Sequence, residues 1–255
     1  MVALSERDKQ ADGVGEASPQ AHPAADLSTK DGLRALAEQA GRDLEGASAV
    51  EILTWADEQF GSSWAVASSM ADAVVPSLAA KVRPGVDILF LDTGYHFAET
   101  IGTRDAVAAT LPVNIRTITA RQSVEQQDAS FGARLYERNP DQCCALRKVM
   151  PLRSALKDYT AWASGLRRDE AATRKDVKVV EWDEQRAMIK LNPIAAWTQD
   201  DVDRYIADNG ILVNPLLFDG YGSIGCWPCT RRLKPGEDAR AGRWSGTGKV
   251  ECGLH

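Results

Sequence analysis

No apolar run in this chain approaches the roughly 20 residues that a membrane-spanning helix needs. The stretch from Met1 to Asp26 also lacks the continuous apolar core of a secretory signal, so a cytoplasmic location is expected. A basic excess is missing too: the formal net charge is -6. General nucleic-acid binders usually carry the opposite balance, and neither nucleic acid nor a membrane is an expected partner. A small anionic substrate stays open, because local arginines can outvote the net charge. No internal repeat is visible.

What is present suits a globular α/β protein. The 255 residues are enough for one well-buried domain, and a composition 44% hydrophobic and 26% charged is ordinary for one. From Met1 to about Leu27 the chain is rich in Ala, Asp, Gln, Gly and Pro and poor in large apolar residues. Such a segment buries too little surface to offset its ordering entropy, so residues 1–27 read as a disordered tail. Residues 28–255 read as a single domain. Leu33, Leu36, Ala37, Ala40 and Leu44 recur at helical spacing. Ser48 with Glu51 makes a capping box for a second helix carrying Ile52, Leu53, Ala56 and Phe60.

Short apolar runs then alternate with helical patterns. Candidate strands are Trp64 to Ala67, Val86 to Leu91, Val113 to Ile118, Tyr159 to Ala163 and Val177 to Trp182. That alternation points to a Rossmann-like parallel sheet with helices on both faces, where ligands sit at the carboxyl ends of the strands. Ser68 to Asp72, Asp92 to Phe97 and Gly165 to Arg168 fall at those ends. The last third is less regular. It holds one helix with Thr198 as N-cap and Asp200-Asp201 in its first turn, then loops rich in Gly, Pro and Arg beyond Asn214. Such loops need something other than a core to hold them, and a metal site is a natural candidate.

In a reducing compartment the five cysteines are ligands or nucleophiles rather than disulfides. Cys143 and Cys144 are adjacent, and Cys226 and Cys229 form a Cys-Trp-Pro-Cys pair. Four thiolates suit either Zn²⁺ or a [4Fe–4S] cluster. Structural zinc usually spaces its ligands by two to four residues, which direct neighbours strain, whereas the irons of a cubane are different points in space. The alternative is a buried pair of small hydrophobes. Asp141 before the pair and Arg147 and Lys148 after it weigh toward ligands. Cys252 is left over, in Glu-Cys-Gly-Leu-His. It reads equally as an exposed terminal thiol or as a nucleophile on a mobile segment, about residues 235–255, with Arg240, Arg243 or His255 lowering its pKa.

Together these residues resemble the assimilatory sulfonucleotide reductases, specifically the adenylyl-sulfate (APS) reductases that carry a [4Fe–4S] cluster. The specific pieces are Cys143-Cys144 followed by Arg147-Lys148, Gly225-Cys226-Trp227-Pro228-Cys229-Thr230, and Glu251-Cys252-Gly253-Leu254-His255. Leu91-Asp92-Thr93-Gly94, Gly165-Leu166-Arg167-Arg168 and Gly242-Arg243-Trp244 support them. The resemblance implies an adenine nucleotide alpha hydrolase-like fold and a cluster on Cys143, Cys144, Cys226 and Cys229. It implies that Cys252 attacks the sulfur of adenosine 5′-phosphosulfate, releasing AMP, and that thioredoxin or a similar dithiol then frees sulfite. Arg167, Arg240 and Arg243 are the implied anion-binding arginines, Lys148 the link between substrate and cluster, and His255 the terminal histidine near the substrate. Ser68, Ser69 and Asp72 occupy the phosphate loop, with Leu91, Asp92, Thr93, Gly94 and Gly165 near the nucleotide. The loop departs from the family's Ser-Gly-Ala-Glu-Asp, because Ser69 and Met70 are bulkier than Gly and Ala.

For Arg147, Arg168, Arg174, Arg231 and Arg232, solvated surface positions are expected. Competing readings are a reductase for the 3′-phosphorylated substrate (PAPS), a zinc-stabilised nucleotide-binding module, and an ATP pyrophosphatase, whose Ser-Gly-Gly-x-Asp-Ser loop is missing. The sequence leaves the oligomeric state open, a homo-oligomer included.

Overall fold

The computed structural model describes residues 26–254, so the tail expected over residues 1–27 lies almost wholly outside the described residues, as does His255. Two amphipathic helices open the described chain, α1 (Lys30–Asp43) and α2 (Ala49–Phe60). Thr29 and Ser48 cap them, and Ser48 and Glu51 close the expected capping box. There follow β1 (Trp64–Ser68), α3 (Val74–Val82), β2 (Val86–Asp92), α4 (Ala98–Thr110), β3 (Val113–Thr119) and α5 (Val124–Phe131). The short helices α6 (Leu135–Arg138), α7 (Pro140–Cys144) and α8 (Met150–Ala155) come next, with a π-helical turn, Ala145–Val149, between the last two. Three short strands and a helix finish the regular structure: β4 (Ala161–Ala163), β5 (Val180–Asp183), β6 (Met188–Leu191) and α9 (Gln199–Asn209). Among the described residues no helix is long and apolar enough to cross a membrane.

The sheet runs β3-β2-β1-β4-β6-β5, and every pairing is parallel except that of β5 with β6. The expectation of a parallel sheet with helices on both faces therefore holds for five strands. The sixth turns back through residues 184–187, too short a link for a parallel crossover. Alternation along the strands fills two layers. Val66, Ile88, Phe90, Ala163 and Ile189 face a large core shared with α1, α2, α3 and α9. Ala65, Leu89, Trp162 and Met188 face a smaller core with Leu152 and Leu156, and Leu254 packs against it. The chain end thus folds back onto the sheet.

Strand order reverses at β1. The chain proceeds outward through β2 and β3, then returns to lay β4 on the other side of β1. The crevice between the carboxyl ends of β1 and β4 is where such folds bind ligands.

Candidate active site

A cleft of about 1500 Å³ opens at that switch point. Its floor comes from the β1 loop, with Ser68, Ser69 and Asp72, and from Leu91 and Thr93 at the end of β2. Gly165 and Arg167, after β4, form one wall. The opposite wall is the folded-back C-terminal segment, carrying Arg240, Arg243 and Cys252, and Lys148 reaches in from the π-helical turn. Most of the sequence-predicted site residues therefore converge although up to about 180 residues separate them. Asp92 and Gly94 do not line the cleft. Their part is to build the turn: the Asp92 carboxylate accepts the Gly94 N–H at 2.9 Å, and Gly94 sits at φ 71°. A side chain there would meet Val124 at 2.9 Å, so the position favours glycine twice over.

The β1 loop departs from a glycine cradle as its sequence implies. Met70 is fully buried and holds the left-handed conformation, φ 57°, that a glycine would take without strain. Ser68 Oγ accepts the Met70 N–H at 3.2 Å, and Asn214 Nδ2 donates to the Met70 carbonyl at 3.2 Å. Asp72 accepts the Val74 N–H at 2.9 Å, while burial raises its pKa against that bond. Polar contacts with neighbours thus hold this loop.

The two cysteine pairs also meet. Cys143, Cys144, Cys226 and Cys229 line one small pocket walled by Tyr95 and Tyr136. All four are free thiols, Cys229 half-buried and the others buried. Thr93 Oγ1 lies 3.3 Å from Cys226 Sγ. Burial, reinforced by the neighbouring thiols, pushes Cys143 up to about 12, and burial and Cys226 push Cys229 up to about 11. Burial raises Cys144 as well, against Lys148 and Lys249. For Lys148, burial opposes the charge, but Cys226, Cys144 and Cys252 outweigh it and raise the pKa. Among the described residues no three His, Cys, Asp or Glu side chains are grouped to hold a single metal ion.

Lys148 and Cys226 line both the cleft and the cysteine pocket. The thiol of Cys252, the cations of the cleft and the four-thiol pocket therefore form one continuous site. The description "Phosphoadenosine phosphosulfate reductase domain" matches residues 63–232. The chain belongs to the sulfonucleotide reductase family. A relative named adenosine 5′-phosphosulfate reductase, from Streptomyces coelicolor, is 61% identical over 227 residues, 89% of this chain and 96% of that protein. A second of that name, from Mycolicibacterium smegmatis, is 56% identical over 228 residues, 89% and 97% of the two chains. Among solved structures, the phosphoadenylyl-sulfate (PAPS) reductase from Candida auris, in its phosphate complex, superposes with a TM-score of 0.65 at 30% identity. That match covers 75% of this chain and 94% of the other. An FMN adenylyltransferase from Candida glabrata shares the fold alone, with a TM-score of 0.50 at 10% identity over 82% and 79% of the two chains.

Two arginines of this sulfonucleotide reductase are corrections to the sequence reading. Arg147 and Arg174, expected on the surface, are only 5% and 8% exposed. Arg147 donates to the Thr93 carbonyl and to Gln127 Oε1 at 3.1 Å, and its guanidinium lies 5.3 Å from the centre of the Tyr95 ring. Arg174 lines the cleft and grips Glu251, the residue before Cys252. Glu251 entered only as part of the terminal motif and Arg174 only as a surface arginine, because an isolated arginine in a polar loop carries no local signal of burial. His96 was missed as well. It lines the cleft beneath the β2 loop and bonds the Leu91 carbonyl through Nε2 at 2.8 Å, and burial lowers its pKa.

Proposed function

We propose that this enzyme reduces adenosine 5′-phosphosulfate to sulfite and AMP with electrons from a dithiol such as thioredoxin, as a step of sulfate assimilation in the cytoplasm. The observation that carries the reading is the placement of Cys252 in one cleft with Lys148, Arg240, Arg243 and the nucleotide-facing ends of β1, β2 and β4. Names shared with relatives over nearly the whole chain support the substrate.

The substrate's phosphate and sulfate are anionic, and an anionic thiolate approaching them meets repulsion. Guanidinium forks from Arg240 and Arg243 with the Lys148 ammonium offset that charge and hold the sulfate for in-line attack. The Arg243 guanidinium is itself placed by Ser223 Oγ at 3.0 Å and by the Ile224 carbonyl at 3.2 Å. Cys252 Sγ forms a bond to the sulfate sulfur while the bond from that sulfur to the bridging phosphate oxygen breaks. AMP leaves with the electron pair, and the enzyme keeps a thiosulfonate. A thiol of the dithiol attacks Cys252 Sγ, sulfite departs, and the second thiol resolves the mixed disulfide. One disulfide is formed for each sulfur reduced from sulfate to sulfite, so the electrons balance. A mobile segment over about residues 235–255 would present the thiosulfonate to the dithiol.

The four-thiol pocket fits a [4Fe–4S] cluster. Burial disfavours the bare thiolates of Cys143, Cys144 and Cys229, and metal binding is what would hold them in that form. A cubane spreads its thiolates over separate irons, so it needs convergence on a pocket and not on a point, and adjacent Cys143 and Cys144 meet that need. Lys148 and Arg147 supply compensating positive charge. When bound, the cluster would add a fixed charge beside Lys148, while the electrons come from thiols. Cys252→Ser should abolish turnover and leave visible absorbance and iron content unchanged, because this thiol stands outside the ligand set. Normal sulfite release by that variant would sink the nucleophile assignment.

A further inference from the structure

Glu251 places a carboxylate between two of the cleft's guanidinium groups. Arg174 donates to it from Nε at 2.7 Å and Nη2 at 2.8 Å. Arg240 Nη2 donates to the same carboxylate at 3.1 Å and to the Val250 carbonyl at 3.0 Å, and Thr173 Oγ1 adds a contact at 3.3 Å. The Arg174 and Arg240 side chains are 10% and 18% exposed, and all these residues line the large cleft. Like charges brought together out of water need an anion between them. Burial and then the charge of Arg174 hold Arg240 below the usual arginine range. Glu251 has the opposite balance: burial is outweighed by the hydrogen bond and charge of Arg174 and then by Arg240, which keep it ionised. Glu170 also contacts Arg174, but through Nη1, which leaves Nε and Nη2 to Glu251. A second tether lies two residues earlier, where the Lys249 ammonium contacts Asp141 beside the adjacent cysteines.

We infer that Glu251 is a positioning residue that doubles as an internal stand-in for the substrate's anionic group. With the cleft empty it occupies Arg174 and Arg240 and holds the Cys252 segment against the cleft. An incoming phosphate or sulfate takes over the same donors, and the freed segment re-aims the adjacent thiol while Lys249 keeps it tethered. The inference rests on reading the cleft as a nucleotide-sulfate site. A carboxylate and a phosphate ask for the same forked donors, so the two compete for one pair of arginines.

AMP carries the anion without the reactive sulfur, which makes it the probe. It is titrated calorimetrically into the full-length wild type, Glu251→Gln and Glu251→Asp, and the rate at which iodoacetamide alkylates Cys252 is measured on each protein without ligand. Glu251→Gln removes the competing charge at nearly constant shape, so it should bind AMP about tenfold more tightly. Its Cys252 should also alkylate several-fold faster than in the wild type. Glu251→Asp keeps the charge and should stay near the wild type in both measurements. Equal AMP affinity in the wild type and Glu251→Gln would overturn the stand-in role, and equal alkylation rates would overturn the holding role. A wild-type chain that does not bind AMP would instead overturn the reading of the cleft, and this inference with it.

Discussion

Lys148, with Cys226, stands where the cleft and the cysteine pocket meet, and the charges around it bear on its role. It is buried, and the thiols of Cys226, Cys144 and Cys252 favour its protonated form. On the proposed reading, a cation so placed would serve anionic substrate on one side and thiolates on the other. Lys148→Ala should therefore lower kcat/KM by at least about 100-fold, in line with the loss of one preorganised charge at a reacting group, with iron and visible absorbance retained. Unchanged rate and affinity would remove that role. Arg243 offers a second test. A Cβ on Gly225 would lie 2.3 Å from the Arg243 guanidinium, so Gly225→Ala should push the fork out of the cleft. The expected result is a KM raised about tenfold or more, the worth of one charged hydrogen bond, with the circular dichroism spectrum unchanged. At this scale the sequence was readable where residue types are rare. Five cysteines in unusual spacing pointed to both sites, whereas Arg174 and Arg147 looked like any surface arginine until long-range contacts buried them.

Local rules predicted the elements well where both pattern and punctuation were present. The first three strands lie within a residue of their expected limits, because turn residues bound each one and apolar side chains run through it, unbroken from Ile88 to Leu91 in β2 and spaced by Asn114, Arg116 and Thr117 in β3. The run expected over Tyr159 to Ala163 begins two residues later, at Ala161, and the one expected from Val177 begins at Val180. β6 escaped notice since Lys190 interrupts its four residues. That lysine is buried by pairing with Glu181 at 2.8 Å and by lying 5.5 Å from the centre of the Trp162 ring. The π-helical turn carrying Arg147 and Lys148 had no visible signal either, for its widened geometry serves a site assembled from distant segments. The Ser48 capping box, read from two residues, is a purely local device remote from the cleft. Ser48→Ala should cost about 1 kcal/mol of stability by urea unfolding, and turnover at 25 °C should be unaffected.

For the molecule as a whole, the sheet and the loop-rich C-terminal third are held by different means. The large core joins the sheet to α1, α2, α3 and α9, whereas only a small cluster of Tyr95, Leu135, Cys143 and Cys226 packs round the cysteine pocket. If the pocket holds the proposed cluster, removing its iron should leave the sheet folded while loosening residues 135–150 and 215–250. Limited proteolysis of the metal-depleted protein should cut within those segments first, with far-ultraviolet circular dichroism largely retained; uniform loss of structure would show that the ligand site supports the main core as well. The fold class was legible because strand-helix alternation is a property of the chain itself. The meeting of Cys252 with a pocket whose first two cysteines, Cys143 and Cys144, lie more than 100 residues upstream was legible only through resemblance, since no local rule brings a chain end back across a sheet.

The central claim is that Cys252 takes the sulfur from a nucleotide-bound sulfate. The direct measurement is to mix anaerobically purified protein with ³⁵S-labelled adenosine 5′-phosphosulfate, without reductant, and count label on the protein. The account predicts covalent label that reduced thioredoxin releases as sulfite and that Cys252→Ser fails to acquire. An unlabelled wild-type protein with its iron intact, or equal labelling of Cys252→Ser, would contradict it.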